Sequence, residues 1–399
     1  MTQQQHNNNT TTSNIQHPQN FLNIHAYPTM IFSLIFVHTI IILVAYFLFL
    51  VKNDPNQFGK LAFSANDIAQ MSTGKVIVVT GANSGLGKAS AKLLVQGGSA
   101  RAVIIACRNM KKCRDTKEDI SIASSSVEII PLELDLASLS SIQNFASNLQ
   151  LRLKDLEAKD GKEKFRDVPK LDVLLNNAGI MGVEYSVSNE TNSEMQMHVN
   201  HLGHFALTSL LKDNLSNGGR VVSVSSIAGA MPLLNIDDVN FVHTPRAQIR
   251  QYFNTVHSLM AYSASKRANL LFTNAMNERF ASAGIVAVAA HPGYSRTSLI
   301  QKWHFASQRY KELVENNHIG SMSCEEGALS QIRAALDVEN VKANQYVGPL
   351  YLITGRPVIV GTSLLSFHHL YTPVINKGLG DELWKFSEEA IGWRFENIL

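Results

Sequence analysis

The chain has 399 residues, 45% of them apolar, with 35 Lys and Arg against 32 Asp and Glu. That length supports a sizeable core, and the near-balanced charge excludes the clustered basic footprint that nucleic-acid binding needs. Three cysteines, Cys107, Cys113 and Cys324, make no closed disulfide framework and no metal-ligand spacing. No metal is therefore expected, and the folded part reads as facing a reducing compartment.

Residues 1–29 are rich in Asn, Gln and Thr and contain no Lys, Arg, Asp or Glu. Such a segment buries too little surface to offset its ordering entropy, so a disordered tail is expected. Residues 30–51 read MIFSLIFVHTIIILVAYFLFLV, with no charge throughout. At ~1.5 Å per residue this run spans the ~30 Å core of a bilayer, which predicts a single transmembrane helix. No basic segment precedes it, as a cleaved signal would require. Lys52 and Lys60 follow it, so the positive-inside rule puts the downstream domain in the cytosol. The expected location is a single-pass anchor in the endoplasmic reticulum membrane, with a linker over 52–72 and one domain over 73–399.

From Gly74 the pattern changes to short Val- and Ile-rich runs separated by longer helical stretches. The runs at 76–80, 102–106, 127–132, 171–175, 220–224 and 285–290 predict six strands. Continuous apolar strands between helices imply a parallel sheet covered on both faces. Right-handed crossovers then give an α/β doubly wound parallel sheet, the Rossmann fold. The last hundred residues show no complete strand set and are expected to form an appended substrate lobe.

The first strand runs into Thr80-Gly81-Ala82-Asn83-Ser84-Gly85-Leu86-Gly87, followed by a helical stretch. Glycines there permit a tight turn and close backbone approach to a pyrophosphate, which helix N-terminal amides then face. The second strand ends in Ala106-Cys107-Arg108-Asn109 without the acid that would bind an NAD ribose. Arg108 is instead suited to a 2′-phosphate, which favours NADP; the alternative is a solvated residue at a helix start. Asp135, past the third strand, is a candidate acceptor for the adenine amino group or a helix cap.

Tyr262 and Lys266 stand at i and i+4 and share one helix face. A phenol of ordinary pKa about 10 is a poor acid–base group at neutral pH, and a nearby ammonium is expected to lower it. Arg220–Val224 leads into Ser225-Ser226, whose hydroxyls stand at a strand end, ready to bond a substrate carbonyl. Asn176-Asn177-Ala178-Gly179 follows the fourth strand, and Asn200 lies in the next helix. His198, His201 and His204 crowd the same stretch and are expected to be packing or surface histidines.

Together TGANSGLG, NNAG, Asn200, VSS and YSASK resemble the short-chain dehydrogenase/reductase family over roughly residues 74–297. The resemblance implies Tyr262 as general acid–base, with Lys266 lowering its pKa and binding the cofactor ribose. Ser226 rather than Ser225 would polarise the substrate oxygen, and Asn200 would hold a water linking Lys266 to solvent. Gly81, Ser84, Gly85, Leu86 and Gly87 match the cofactor loop, and Asn177, Ala178 and Gly179 the segment beside the adenosine ribose. Pro292, Gly293 and Thr297 match the segment near the nicotinamide amide.

The anchor, ACRN, HPG and LWKFSEEAIGW are most similar to the retinol dehydrogenase group. The implied function is NADP-dependent interconversion of a carbonyl and an alcohol on a lipophilic substrate, a retinoid, steroid or fatty aldehyde or ketone. A ring double-bond reductase like the protochlorophyllide reductases, or a catalytically silent scaffold, is the alternative. The residues leave the oligomeric state open. Residues 230–260 and 345–371 are longer than the family's usual segments, and 295–320, with Leu299, Ile300, Trp303, Phe305 and Tyr310, is expected to form a helical lid.

Overall fold

Strands buried on both faces can carry apolar side chains at every position, and five of the six runs here do so nearly without a break. The structure is a computed structural model that describes residues 63–124, 126–159, 168–215, 218–231, 233–241, 250–297, 299, 307–316, 321–350, 353–360 and 377–395. The expected tail, and the transmembrane helix at 30–51, lie outside the described residues. Among the described residues no helix is long and apolar enough to cross a membrane.

The described chain opens with α1 (Ala65–Ser72), β1 (Val76–Thr80) and α2 (Gly85–Gln96), then β2 (Ala102–Cys107) and α3 (Met110–Ser121). It continues through β3 (Glu128–Glu133), α4 (Leu139–Lys159) and β4 (Val173–Asn176). A short helical turn and a π turn at His198–Leu202 lead into α5 (Gly203–Leu210), followed by β5 (Arg220–Val224), the long α6 (Arg250–Phe280) and β6 (Val286–Ala290). The remainder is α7 (Gln308–Glu315), α8 (Cys324–Leu336), β7 (Tyr346–Pro349), β8 (Pro357–Ile359) and α9 (Lys377–Ile391).

All eight strands join one sheet in the order β3-β2-β1-β4-β5-β6-β7-β8. Every neighbouring pair is parallel except β7 with β8. The order reverses between β1 and β4, and a doubly wound sheet binds ligands at the carboxyl ends beside that switch point. Ile104, Leu174 and Val221 face one layer with Phe145, Phe205 and Phe272. Ile77, Val79, Val103 and Val222 face the other with Leu94, Ile120 and Ile332. Burying each such side chain contributes about 1.5–3 kcal/mol.

Three expectations need correction. The C-terminal residues are not an appended lobe: β7 and β8 extend the sheet, and Trp384 and Phe395 enter the core against Phe205 and Phe280. Part of the expected linker is folded, because Ser64 and Asp67 form a capping box at the start of α1 and Ile68 is buried. Cys107 and Cys113 are joined in a disulfide, with Cα atoms 5.8 Å apart, because the β2–α3 turn brings them together. Of the segment expected to form a lid, the described part includes α7, while Ile300, Trp303 and Phe305 lie outside the described residues.

Candidate active site

The loop after β1 is set by backbone geometry. Gly81 has φ of +67° and Gly85 of +52°, in the left-handed region that favours glycine. At Gly87 an added Cβ would stand 2.4 Å from the Gly81 carbonyl oxygen and 2.5 Å from Asn177 Nδ2, so only glycine lets α2 start this close to the loop. Leu86 packs toward Gly327 of α8. The N-cap residue, Ser84, makes no side-chain cap hydrogen bond. The first-turn amides of α2 therefore receive no hydroxyl from the protein's own cap, which suits a phosphate.

Arg108 is exposed at the end of β2, and among the described residues its guanidinium has no hydrogen-bond or ion-pair partner. Asn109, not Arg108, caps α3 by accepting from Lys112 N–H at 3.0 Å. Asp135 is half-buried, and its Oδ1 accepts from Ala137 N–H at 3.0 Å. That bond closes a turn ahead of α4, which begins at Leu139, so Asp135 is not the helix cap foreseen as its alternative. By its donor set the site suits a dinucleotide: the first turn of α2 has no side-chain cap, and the β2 tip carries an exposed guanidinium and no carboxylate.

Thr80 ends β1 and holds the segment after β4. Its hydroxyl accepts the Asn177 and Ala178 N–H groups, each at 2.9 Å. Asn177 Nδ2 donates to the Thr80 carbonyl at 2.8 Å, and Asn177 Oδ1 accepts from Gln331 at 3.0 Å. Gly179 follows, exposed. An added Cβ there would come within 3.1 Å of Asn200 Oδ1 and 3.4 Å of Lys266 Nζ. Across the cleft, Thr297 stands 3.6 Å from where a Gly85 side chain would begin, and Gly293 has φ of +65°. Thr297 thus abuts the cofactor loop, and Pro292 and Gly293 follow β6; all three are half-buried.

Tyr262, Lys266 and Ser226 meet where α6 crosses the end of β5. The Ser226 side chain stands near enough to the Tyr262 phenol to favour its charged form. Lys266 Nζ lies 5.8 Å from the Tyr262 ring centre and donates to the Val224 carbonyl at 2.9 Å. Ser225 turns the other way, buried, its hydroxyl donating to the Lys266 carbonyl at 2.7 Å. Asn200 Nδ2 donates to the Ile180 carbonyl at 2.9 Å and to Ser265 Oγ at 3.0 Å, while Ile180 N–H donates to Asn200 Oδ1 at 2.8 Å. The side chain therefore ties the segment after β4 to the helix of Lys266. Its π turn is a feature enriched at functional sites.

Electrostatics depart from the expected lowered phenol. Burial pushes Tyr262 up to about 12, with the Ser226 hydrogen bond pulling back, and burial pushes Lys266 down to about 8. The ammonium is engaged with Val224 rather than the phenol oxygen, so desolvation wins. A phenol so held is a proton donor at neutral pH.

Several residues of the site gave no signal in the sequence. Gln196 accepts from Gly182 N–H at 3.0 Å and donates to the Ser258 carbonyl at 2.9 Å, one turn before Tyr262. Tyr346 of β7 donates to the Ser226 carbonyl at 3.4 Å. Both partners are backbone groups far away in sequence, and no spacing announces them. The histidines at 198, 201 and 204 are all buried and none reaches the surface.

A family model described as short chain dehydrogenase matches residues 75–237. The chain is 37% identical over 228 residues to Retinol dehydrogenase 13 of Homo sapiens, covering 57% of this chain and 60% of that protein. Against Retinol dehydrogenase 11 of Homo sapiens it is 34% identical over 234 residues, covering 58% and 64%. The aligned region thus spans less than two thirds of the length of these curated relatives. A crystal structure of an uncharacterised protein from Mycobacterium paratuberculosis is 31% identical, with a TM-score of 0.58, covering 82% of this chain and 98% of that one. Levodione reductase shares the fold at 17% identity and a TM-score of 0.50, covering 69% and 96%. The chain belongs to the short-chain dehydrogenase family of oxidoreductases.

Proposed function

We propose that this chain is an NADP-dependent oxidoreductase interconverting a carbonyl and an alcohol on a lipophilic substrate. The observation that carries the reading is the convergence of Ser226, Tyr262 and Lys266 at the carboxyl end of β5, with the ammonium 5.8 Å from the phenol ring and donating to the Val224 carbonyl at 2.9 Å. The retinol named in the relatives' descriptions makes a retinoid the first candidate substrate, ahead of steroids and fatty aldehydes.

A bound NADP would supply or accept the hydride at the carbonyl carbon. Ser84, Gly85, Leu86 and Gly87 would face it at the pyrophosphate, and Gly81, whose own N–H donates to the Ala106 carbonyl at 2.9 Å, would let the loop turn close beneath it. Arg108 would meet the 2′-phosphate, Asp135 the adenine, and Asn177, Ala178 and Gly179 the adenosine ribose. Pro292, Gly293 and Thr297 would border the nicotinamide amide. In the reducing direction Tyr262 gives its proton to the substrate oxygen as negative charge grows there, and takes it back in oxidation. Ser226 donates a hydrogen bond to the same oxygen. Lys266 lowers the free energy of the transient phenolate and bonds the cofactor ribose, while Asn200 holds a water on its path to solvent. Proton transfer of this kind contributes ~10²–10⁴ in rate.

The lipophilic substrate accords with an anchor at 30–51 holding the domain beside the cytosolic face of the endoplasmic reticulum membrane. Topology is open to a direct check, since Asn189 is an exposed sequon whereas the Asn214 side chain is buried and donates to the Pro169 carbonyl. Glycosylation at Asn189 in cells would place the domain in the lumen instead. The activity is tested by following NADPH consumption by the full chain with retinaldehyde, a long fatty aldehyde and a short aldehyde. Turnover of the long substrates is expected, and absence of NADPH oxidation with every carbonyl sinks the proposal.

A further inference from the structure

We propose that His204 is a positioning residue that couples the dinucleotide loop to the helix of Asn200, on the reading above that this chain is a nicotinamide-dependent enzyme. His204 lies one turn beyond Asn200 on α5 and is buried. Its Nδ1 stands 3.0 Å from the Asn200 carbonyl oxygen. A carbonyl only accepts, so Nδ1 carries the hydrogen. Its Nε2 stands 3.0 Å from Thr80 Oγ1.

The Thr80 hydroxyl settles the other half of the ring. Its oxygen already accepts the N–H groups of Asn177 and Ala178, both at 2.9 Å. An oxygen with both lone pairs engaged offers only its proton, and the nearer acceptor is Nε2 rather than the Leu175 carbonyl at 3.3 Å. His204 is therefore a neutral ring in one tautomer, donor at Nδ1 and acceptor at Nε2. Burial agrees, because it pushes the protonation of His204 down to about 4.

One ring thus bridges two parts of the site. On the Thr80 side stand the start of the Gly81–Gly87 loop and the start of the Asn177–Gly179 segment, which receive the cofactor. On the Asn200 side, the same residue bonds Ile180 and Ser265, and Ser265 precedes Lys266. The polar seam runs on behind it, since Thr208 donates to the His204 carbonyl at 2.7 Å and Asn176 donates to Thr208 at 3.1 Å. A residue that merely filled space among Leu- and Phe-lined walls would not need two polar contacts of fixed direction. Ordering Thr80 around a bound dinucleotide therefore fixes the backbone at Asn200, and with it the groups that hold Lys266.

The geometry offers a test with two opposite substitutions. In His204→Asn the side-chain amide nitrogen falls near the position of Nδ1, so the Asn200 contact is kept and the Thr80 contact is lost. In His204→Gln the amide reaches the position of Nε2, so the Thr80 contact is kept and the Asn200 contact is lost. The full chain is assayed with NADPH and retinaldehyde, reading NADPH Kd by fluorescence and kcat at saturating NADPH. For His204→Asn, Kd is expected to rise about tenfold, ~1.4 kcal/mol or one buried hydrogen bond, with kcat near the parent's. For His204→Gln, Kd is expected to stay near the parent's while kcat falls about tenfold. Equal losses of both quantities in both variants would mark a general packing defect and overturn the proposal, as would parent-like values in both. If neither variant folds, Thr80→Val against Thr80→Ser reads the same coupling from the other side. Loss of NADPH affinity confined to the Val variant is then expected, and equal loss in both refutes it. A parent chain that neither binds NADPH nor turns over sinks the enzyme reading itself, whereas an active parent with unaffected variants sinks only the role of His204.

Discussion

Glu194 is a carboxylate that the fold holds out of water. It is buried at the start of the segment that carries Asn200, where it accepts from Gln196 N–H at 2.7 Å and Met197 N–H at 3.1 Å. Those bonds favour the charged form, yet burial outweighs them and raises the group from 4.5 to about 7. A raised folded-state pKa means the folded protein binds the proton more tightly than the unfolded chain. The stabilisation is then fully present below pH 4.5 and is lost as pH rises through about 7. A displacement of that size corresponds to ~3 kcal/mol. Glu194→Gln keeps an acceptor oxygen for the two N–H groups and removes the ionisation. The variant is expected to lose less stability than the parent between pH 4.5 and 8, the difference approaching ~3 kcal/mol at the alkaline end. Urea unfolding followed by near-ultraviolet circular dichroism at a series of pH values measures it. Parallel pH profiles for parent and variant would refute the reasoning, because Glu194 would then titrate alike in both states.

Arg108→Ala should lower the preference for NADPH over NADH by roughly 10- to 100-fold, the worth of one charge-assisted contact of ~1.5–3 kcal/mol; an unchanged ratio in Kd titrations places the selectivity elsewhere. Gly87→Ala drives a Cβ to 2.4 Å from the Gly81 carbonyl, so the loop must shift and NADPH binding should weaken by on the order of 1–3 kcal/mol, read by fluorescence titration. Arg220, buried at the start of β5, donates to the carbonyls of Ala334 and Val341, each at 2.7 Å, and so pins the end of α8. Arg220→Ala leaves both acceptors without this donor and should cost on the order of 3 kcal/mol in urea unfolding, with parent-like stability the contrary result.

Legibility in the sequence followed the kind of contact. The six parallel strands were readable within one or two residues, because burial on both faces leaves an uninterrupted Val and Ile signal. β7 and β8 were not, since Tyr346-Val347-Gly348-Pro349 and Pro357-Val358-Ile359 carry Gly and Pro, which the terminal part of a sheet tolerates and its centre does not. Tyr262 and Lys266 were visible through their i, i+4 spacing, and the structure adds the bond of the ammonium to the Val224 carbonyl at the end of β5. What the spacing could not supply was desolvation. The raised Tyr262, the raised Glu194 and the neutral His204 arise from burial by distant elements, and no local pattern encodes it. The Cys107–Cys113 bond escaped for a related reason: a tally of three thiols says nothing about a turn that returns one to the other.

The most direct measurement is single-turnover hydride transfer in Tyr262→Phe beside the parent, with NADPH binding measured on the same samples. The ring still packs in the Phe variant, and only the phenol hydroxyl is removed. The account predicts NADPH affinity close to the parent's and a transfer rate lower by ~10²–10⁴. Transfer at the parent's rate with binding intact would contradict it, because the proton would then come from another group.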